Sequence, residues 1–334
     1  MSMNVHESNW LGVQQASEIL GISSDTIRRW AKKSLIQARR SAEGHRLFSL
    51  EELERVRNKY CQSSPSQSFE ILTAPKTSFT AIELFSGCGG MALGFENAGL
   101  NTQLLVEIVR DACDTLRQNR PTWSIKNCDI AEVDFSSHRD AIDIVSGGTP
   151  CQSFSYAGLG KGFDDVRGTL FFQFARCVNE VRPKIAVLEN VRGLIRHDNG
   201  KTLQTMLRVL DEIGYHTSYK LLRSQFFDVP QKRERIFIIA VRRDLDLPIA
   251  FPKEKDYTIS LREALNECPF SPGMKYAETK KKVMDLVPPG GYWRDLPIDV
   301  QKNYMKRSYF LGGGKTGMAR RLSWDEPSLT LTCS

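Results

Sequence analysis

Short apolar runs alternate with helical patterns from Phe79 to Val241, and this alternation constrains the fold more than any other feature. Apolar runs bounded by turn residues are typical of buried strands, and strands separated by helices are typical of a mostly parallel sheet. The sequence therefore predicts an α/β domain with helices packed on a sheet. The predicted strands are Ala81–Phe85, Gln103–Val106, Ile142–Val145, Lys184–Val191 and Ile236–Val241.

A loop with a cysteine follows the third predicted strand. Residues 147–155 read Gly-Gly-Thr-Pro-Cys-Gln-Ser-Phe-Ser, and we expect Gly147, Gly148 and Pro150 to break the strand and leave Cys151 on a tight turn. That end of a parallel sheet is where α/β proteins bind ligands. Cys151 is therefore a candidate thiolate nucleophile, and a small apolar residue that fills a turn is the alternative.

A glycine-rich turn follows the first predicted strand. Residues 87–92 fit the pattern G-x-G-x-x-A and lead into an apolar helix, whose N-terminus offers free N–H groups. Glu107 follows about 20 residues later, the offset at which an acid binds a ribose in such folds. NAD, flavin or a nucleoside cofactor would each suit this pattern. Asp129 with Ile130 could accept an adenine amino group, and a helix cap or turn is the alternative for Asp129.

Charged residues near two later strands are further candidates. Glu189 lies near the end of its predicted strand, at the same sheet edge as Cys151, where a buried carboxyl beside a nucleophile can act as a proton donor. Arg233 and Arg235 are two residues apart, so on an extended chain both face one side. Guanidinium groups suit phosphate or a base carbonyl, and a surface strip of ion pairs is the alternative.

Residues 11–59 predict a separate unit. A helix from Val13 to Leu20, a glycine turn and a second helix from Thr26 to Lys33 have helix-turn-helix spacing, and residues 41–49 can form a wing before a helix from Leu50. The pattern GISSDTIRRWAKKSLI…GHRLFS resembles the winged helix-turn-helix of the MerR and excisionase families. The resemblance implies an all-α winged unit over residues 1–61 that binds DNA, and a helical protein-interaction module is the alternative. The DNA contacts expected from its basic face are Arg28, Arg29 and Arg46.

Composition excludes several classes. The chain has 334 residues, a net charge of +7 and eight scattered cysteines without a metal-ligand pattern, which indicates reduced thiols and no metal site. No apolar run is long enough for a transmembrane helix, and no signal peptide is evident. We expect a cytoplasmic protein without a membrane partner, and its positive charge is compatible with a polyanion.

Five motifs, FSGCGG, TPCQSFS, RGTLFF, ENVRGL and QKRER, occur in one order after residue 78. Together they resemble the DNA (cytosine-5)-methyltransferases of restriction–modification systems, over residues 79–334. The resemblance implies a Rossmann-like S-adenosylmethionine-dependent methyltransferase domain over residues 79–244. It also implies a small target-recognition region over residues 245–334, after a linker over residues 62–78.

The resemblance assigns roles to individual residues. Cys151 matches the nucleophile, Glu189 the acid on the target ring, and Arg233 and Arg235 the arginines near a flipped base. Contacts to DNA are implied at Gln152, Ser155, Arg167 and Gln231. The positions implied to bind S-adenosylmethionine are Phe85, Gly87, Cys88, Gly89, Glu107, Ile108, Asp129, Ile130, Pro150 and Leu170.

The family's tenth motif, which closes the cofactor pocket, does not follow Thr330. We therefore expect a second polypeptide or a further C-terminal segment to complete the pocket. Duplex DNA is the expected partner, with a cognate restriction endonuclease as a genetic partner only. An RNA cytosine-5 methyltransferase and a catalytically impaired DNA-binding regulator are the alternatives. The N-terminal unit is expected to regulate the enzyme's own operon.

Overall fold

A seven-stranded sheet organises the larger part of the chain. The computed structural model describes residues 10–20, 24–32, 34, 36–41, 43–57, 75–149, 170–266, 276–311 and 318–331. The strands of the sheet are β4 (Thr80–Leu84), β5 (Asn101–Glu107), β6 (Ile125–Asn127), β7 (Ile144–Gly148), β8 (Ile185–Val191), β9 (Tyr215–Arg223) and β11 (Glu234–Arg242). Their order in the sheet is β6-β5-β4-β7-β8-β11-β9. The first five strands in this order are mutually parallel, and β11 is antiparallel to both of its neighbours.

Four helices accompany this sheet. In α6, Phe171, Phe174 and Val178 recur at helical spacing and are fully buried, so one stripe of the helix joins the core formed with strand residues such as Ile82 and Leu188. This arrangement is the predicted Rossmann-like α/β domain. The helices are α4 (Gly90–Asn97), α5 (Arg110–Asn119), α6 (Leu170–Val181) and α7 (Lys201–Glu212).

The third predicted strand is displaced along the sequence. Gly147 and Gly148 do not break it, because β7 runs from Ile144 through Gly148. A Cβ atom at Gly147 would lie 3.1 Å from the Leu84 carbonyl oxygen and 3.1 Å from the Phe174 ring. The two glycines are thus required by close packing inside the sheet, which residue patterns along the chain do not reveal.

The N-terminal unit has its own core. Ala16, Ile27, Phe48 and Leu53 are fully buried in it. Ser49 caps the third helix by accepting a hydrogen bond from Glu52 N at 3.1 Å. The elements are β1 (Trp10–Gly12), α1 (Val13–Leu20), α2 (Ser24–Lys32), β2 (Arg39–Arg40), β3 (Arg46–Ser49) and α3 (Leu50–Val56).

The predicted wing is a β-hairpin. β2 and β3 pair antiparallel, and β1 pairs with the other edge of β3. The Arg39 guanidinium lies 3.8 Å from the Trp10 ring centroid, which joins the two outer strands across the sheet. The all-α description therefore omits a three-stranded sheet, which forms because the wing recruits residues that precede the first helix.

A smaller core beyond residue 245 is formed around Val287, Trp293 and Leu296, by residues that lie between Val283 and Ala319. The last described strand, β12 (Ser328–Leu329), pairs in parallel with β10 (Gln231–Lys232), the short strand that precedes β11. Residues 312–317 lie outside the described residues. The helices here are α8 (Leu261–Ala264), α9 (Glu278–Leu286) and α10 (Ile298–Met305).

Within the described ranges, no helix combines the length and apolar character needed to cross a bilayer. The same residues contain no cluster of His, Cys, Asp and Glu suited to a metal ion.

Candidate active site

The carboxyl ends of β7 and β8 bring the candidate acid beside the start of the cysteine loop. The two strands are parallel neighbours, and Gly148 is in register with Glu189. A Cβ atom at Gly148 would lie 3.2 Å from Glu189 Oε2, so glycine leaves room for the carboxylate. Cys151 follows Gly148 by three residues and lies outside the described residues. So do the other positions assigned to this loop, which are Pro150, Gln152, Ser155 and Arg167.

Asn190 fixes the chain just before the cysteine loop. Its side chain is buried, and its Nδ2 donates to the Thr149 carbonyl at 2.9 Å. A buried amide that bonds to the neighbouring strand end holds the base of the loop in place. The sequence marked this amide only by its position after Glu189, and the strand order supplies its partner.

Two arginines converge on Glu189. Arg235 Nε lies 2.9 Å from Glu189 Oε1, and Arg233 Nη2 lies 3.7 Å from the same oxygen. Both side chains therefore face one side of their segment, as their two-residue spacing predicted. Arg235 is anchored further by its Nη1, which donates to the Glu234 carbonyl at 2.7 Å. Arg233 is the more exposed of the pair, with 43% of its side chain accessible against 20% for Arg235.

A basic cavity of about 440 Å³ opens beside this pair. It lies at the end of β8, and the half-buried Gln231 directly precedes Lys232, which lines it. Its cationic lining suits an anionic backbone approaching the acid. The basic residues that line it are Arg192, Arg223, Lys232, Arg233 and Arg235.

The same carboxyl edge of the sheet carries the glycine turn, which follows β4, the parallel neighbour of β7. Phe85, Gly87 and Gly89 have φ of 56°, 53° and 84°, so the turn needs left-handed backbone at three positions. A Cβ atom at Gly89 would lie 2.5 Å from Leu116 Cδ2, whereas at Gly87 it would point into open space. The turn thus packs closely on one side and leaves backbone accessible on the other.

Glu107 joins the glycine turn to the end of β5. Its carboxylate accepts hydrogen bonds from Gly87 N at 2.7 Å and from Val109 N at 2.8 Å. Asn127 Nδ2 donates to the carbonyls of Glu107 and Ile108, each at 3.0 Å. Sequence reasoning did not single out Asn127, although it ends the strand beside Glu107.

The other positions assigned to the cofactor differ in their surroundings. Cys88 and Ile108 are exposed, Leu170 begins α6, and Ile130 is buried. Asp129 Oδ1 accepts a hydrogen bond from Ala131 N at 2.9 Å, so Asp129 caps the short helix that follows. This cap is the alternative considered for Asp129, and its carboxylate oxygens can accept further bonds.

These residues fit a nucleoside cofactor such as S-adenosylmethionine. The open backbone turn supplies N–H donors. The acid at the end of β5 supplies a partner for ribose hydroxyls, and the exposed apolar Ile108 supplies a surface for a base.

A buried carboxyl beneath the glycine turn escaped the sequence analysis. Glu83 lies in β4 and is only 4% exposed, and its Oε2 has no hydrogen-bond partner among the described residues. Burial raises the pKa of Glu83 to about 8, and the neighbouring Glu107 acts in the same direction. Ala92 N, in the first turn of α4, donates a hydrogen bond that opposes this shift.

The N-terminal unit has a second basic cavity, of about 470 Å³. It lies between the start of α1 and the wing, and its lining includes Arg28 from α2 with Arg40, His45 and Arg46 from the hairpin. Arg28 is exposed and Arg46 is half-buried. Arg29 lies on the same helix as Arg28. This surface brings together Arg28 and Arg46, two of the three residues in the N-terminal unit that were predicted to contact DNA.

The fold and the two groups of residues at the carboxyl edge of the sheet define a Rossmann-like S-adenosylmethionine-dependent methyltransferase with an attached helix-turn-helix unit. The C-5 cytosine-specific DNA methylase family matches residues 79–307, and a helix-turn-helix domain family matches residues 10–60. The chain belongs to the C-5 cytosine-specific DNA methylase family. It is a DNA (cytosine-5)-methyltransferase, and its cofactor is S-adenosylmethionine.

Curated relatives agree with this assignment. The chain is 46% identical to the Type II methyltransferase M.Eco47II of Escherichia coli, over 96% of this chain and 80% of the relative. It is 43% identical to the Type II methyltransferase M.PspPI of Psychrobacter sp. (strain TA137), over 95% of this chain and 79% of the relative. A solved structure from E. coli, described as a prophage-encoded DNA modification methyltransferase, is similar in fold. Its TM-score is 0.54 at 22% identity, over 76% of this chain and 82% of that one.

Proposed function

We propose that this protein methylates C5 of a cytosine flipped out of duplex DNA, through a covalent bond to Cys151, as the modification enzyme of a restriction–modification system. The observation that carries the proposal is the position of Glu189. Its Oε2 faces Gly148, three residues before Cys151, while its Oε1 is held by Arg235. An acid and a nucleophile that meet at one sheet edge are the pair that attack on a cytosine ring requires.

The chemistry follows from the weakness of cytosine C5 as a nucleophile. Addition of the Cys151 thiolate to C6 moves electron density onto C5. Glu189 holds N3 and the exocyclic amino group, which stabilises the adduct. S-adenosylmethionine supplies an electrophilic methyl group when it is bound. Loss of the C5 proton then restores the 5,6 double bond and releases the thiolate.

The base must leave the helical stack for this geometry to be reached. Arg233, the more exposed arginine beside Glu189, has donors available for the extruded nucleotide. The basic cavity next to it suits the flanking phosphates. Glu107 and the open face at Gly87 are proposed to hold the cofactor, with Ile108 against its base.

Methyl transfer to defined substrates tests this proposal. The full-length enzyme should transfer labelled methyl groups to duplex DNA containing its site, and digestion of the product should yield 5-methylcytosine. Transfer RNA should accept no label, because the proposal assigns duplex DNA as substrate. Preferential labelling of RNA would favour the RNA methyltransferase alternative, and S-adenosylmethionine binding without transfer would favour the impaired regulator.

The winged unit is proposed to serve a separate purpose. Its basic cavity supports binding of a second duplex site, and we assign that site to the promoter of the methyltransferase's own operon. Phosphate contacts by Arg28, Arg29 and Arg46 would then repress transcription as enzyme accumulates. The cognate endonuclease is a genetic partner in this arrangement, and the protein would act in the cytoplasm with the chromosomal DNA.

The division of the chain is also part of the proposal. We place the winged unit in residues 1–61, a linker in 62–78, the methyltransferase domain in 79–244 and target recognition from residue 245 onward. Separate buried cores around Phe48, Phe174 and Trp293 support this division.

A further inference from the structure

Ser224 lies outside every motif that the sequence analysis identified, yet it bonds to both main-chain polar groups of Arg233. It begins a short 3-10 helix, Ser224–Phe226, directly after β9. Its N–H donates to the Arg233 carbonyl at 2.9 Å, and the Arg233 N–H donates to the Ser224 hydroxyl at 3.2 Å. The same hydroxyl donates to the Gln231 carbonyl at 2.6 Å. Ser224 therefore fastens the segment that carries Arg233.

Arg233 depends on this anchor because it lies at a break in the strand. β10 ends at Lys232 and β11 begins at Glu234. Arg235 is paired on both sides, with Val191 of β8 and Leu222 of β9. Arg233 precedes the first paired residue of β11. Its N–H also donates a hydrogen bond to the Gln231 carbonyl at 2.9 Å. The sheet thus fixes Arg235, whereas Ser224 fixes Arg233.

A second element braces the other side of this segment. The N–H of Ser328 donates to the Pro230 carbonyl at 2.9 Å, and the Thr330 hydroxyl donates to the Lys232 carbonyl at 3.0 Å. These bonds hold the residues before Arg233, whereas the carbonyl of Arg233 accepts from the Ser224 N–H and its own N–H donates to the Ser224 hydroxyl and the Gln231 carbonyl. The direction in which the arginine leaves the main chain is therefore set on the Ser224 side.

The position of the Arg233 side chain matters because its hold on Glu189 is loose. Its Nη2 lies 3.7 Å from Glu189 Oε1, beyond hydrogen-bond distance. A guanidinium that is not locked by its neighbours takes its direction from its main chain. Small displacements of a group that contacts the reacting base reduce turnover strongly.

We propose that Ser224 is a positioning residue for methyl transfer, whose hydroxyl directs Arg233 toward the target base. This rests on the proposed function, because Arg233 matters for turnover only if it meets the flipped cytosine.

A double-mutant cycle in the full-length enzyme tests the inference. Ser224→Ala should lower kcat for duplex DNA by roughly 3–10-fold, the effect of losing an ordinary hydrogen bond, while KM for S-adenosylmethionine stays within about twofold. In an Arg233→Ala background, Ser224→Ala should cause no further loss. Ser224→Thr retains the hydroxyl and should keep kcat within about twofold of the original enzyme. Ser218→Ala, at an exposed position in the preceding strand β9, is the matched control and should leave kcat unchanged.

The outcomes separate the two claims. Equal losses from Ser224→Ala with and without Arg233 would overturn the inference, as would a threonine variant as slow as the alanine variant. The melting temperature of each variant identifies a folding defect. If the alanine variant is unfolded, the threonine variant still tests the inference, because it should keep kcat within about twofold of the original enzyme. An original enzyme that transfers no methyl to cytosine would overturn the proposed function, and this inference with it.

Discussion

At the scale of single residues, the three acidic side chains of this site are held in different ways. Glu189 is held by a nearby arginine, and Glu107 by two main-chain N–H groups. Glu83 differs from both, because one of its oxygens is buried without a partner among the described residues. A buried carboxyl in this state favours its protonated form, since burial penalises the charge. Glu83 is therefore a source of pH-dependent stability beneath the glycine turn.

The sign of that dependence follows from its pKa of about 8, raised from 4.5 by burial. Below pH 4.5 the Glu83 carboxyl is protonated in both the folded and the unfolded chain, so its titration does not lower the free energy of unfolding. As the pH rises toward 8 the unfolded chain ionises first, so the folded state loses stability, by at most about 5 kcal/mol. Glu83→Gln should therefore raise the melting temperature by several degrees at pH 8.5 and change it little at pH 4.5.

A matched variant makes the test specific. Glu132→Gln removes an exposed carboxyl from the same domain and should give the same small shift at both pH values. If Glu83→Gln has no larger effect at pH 8.5 than at pH 4.5, Glu83 is ionised in the folded protein and the assignment is wrong.

At the scale of elements, the helix-turn-helix and wing form a unit with its own core and its own basic cavity. The proposed methylation chemistry involves no residue of this unit. Deleting residues 1–62 from the full-length enzyme should leave the set of methylated cytosines unchanged and abolish binding to the upstream promoter. Arg28→Ala with Arg29→Ala should weaken promoter binding in the same direction. Promoter affinity should also fall steeply with salt, because phosphate contacts release counterions.

Gel-shift titration of the promoter and bisulfite sequencing of methylated DNA measure the two functions separately. Glu18→Gln, an exposed change on α1, serves as the control and should affect neither. A change in which cytosines are methylated after the deletion would mean that the unit takes part in target recognition.

For the whole molecule, the sequence predicted most of what depends on local patterns. The parallel strands and the convergence of Arg233 and Arg235 on one side follow from residue periodicity. The partners of Glu189 and Glu107 could be identified only from the strand order, because these contacts join residues far apart in sequence. Glu83 was missed because an acid inside an apolar run reveals neither its burial nor its missing partner.

The same limit applies to packing between elements. Gly147 and Gly148 looked like strand breakers, but their role is to admit Leu84, Phe174 and Glu189 against the strand. Likewise, the pairing of β12 with β10 joins residues about a hundred positions apart, and the pattern of either segment alone does not predict it. Loop chemistry at Cys151 was predicted from its motif and its place after β7.

The central claim is that Cys151 forms a covalent bond to C6 of the target cytosine. Duplex DNA carrying 5-fluorocytosine at the site should trap the full-length enzyme, because fluorine cannot leave C5 as a proton does. Mass spectrometry of the digested complex should then place the nucleotide on Cys151, and Cys151→Ser should give no trapped species. A complex that persists in the serine variant, or a nucleotide attached to another residue, would contradict the account.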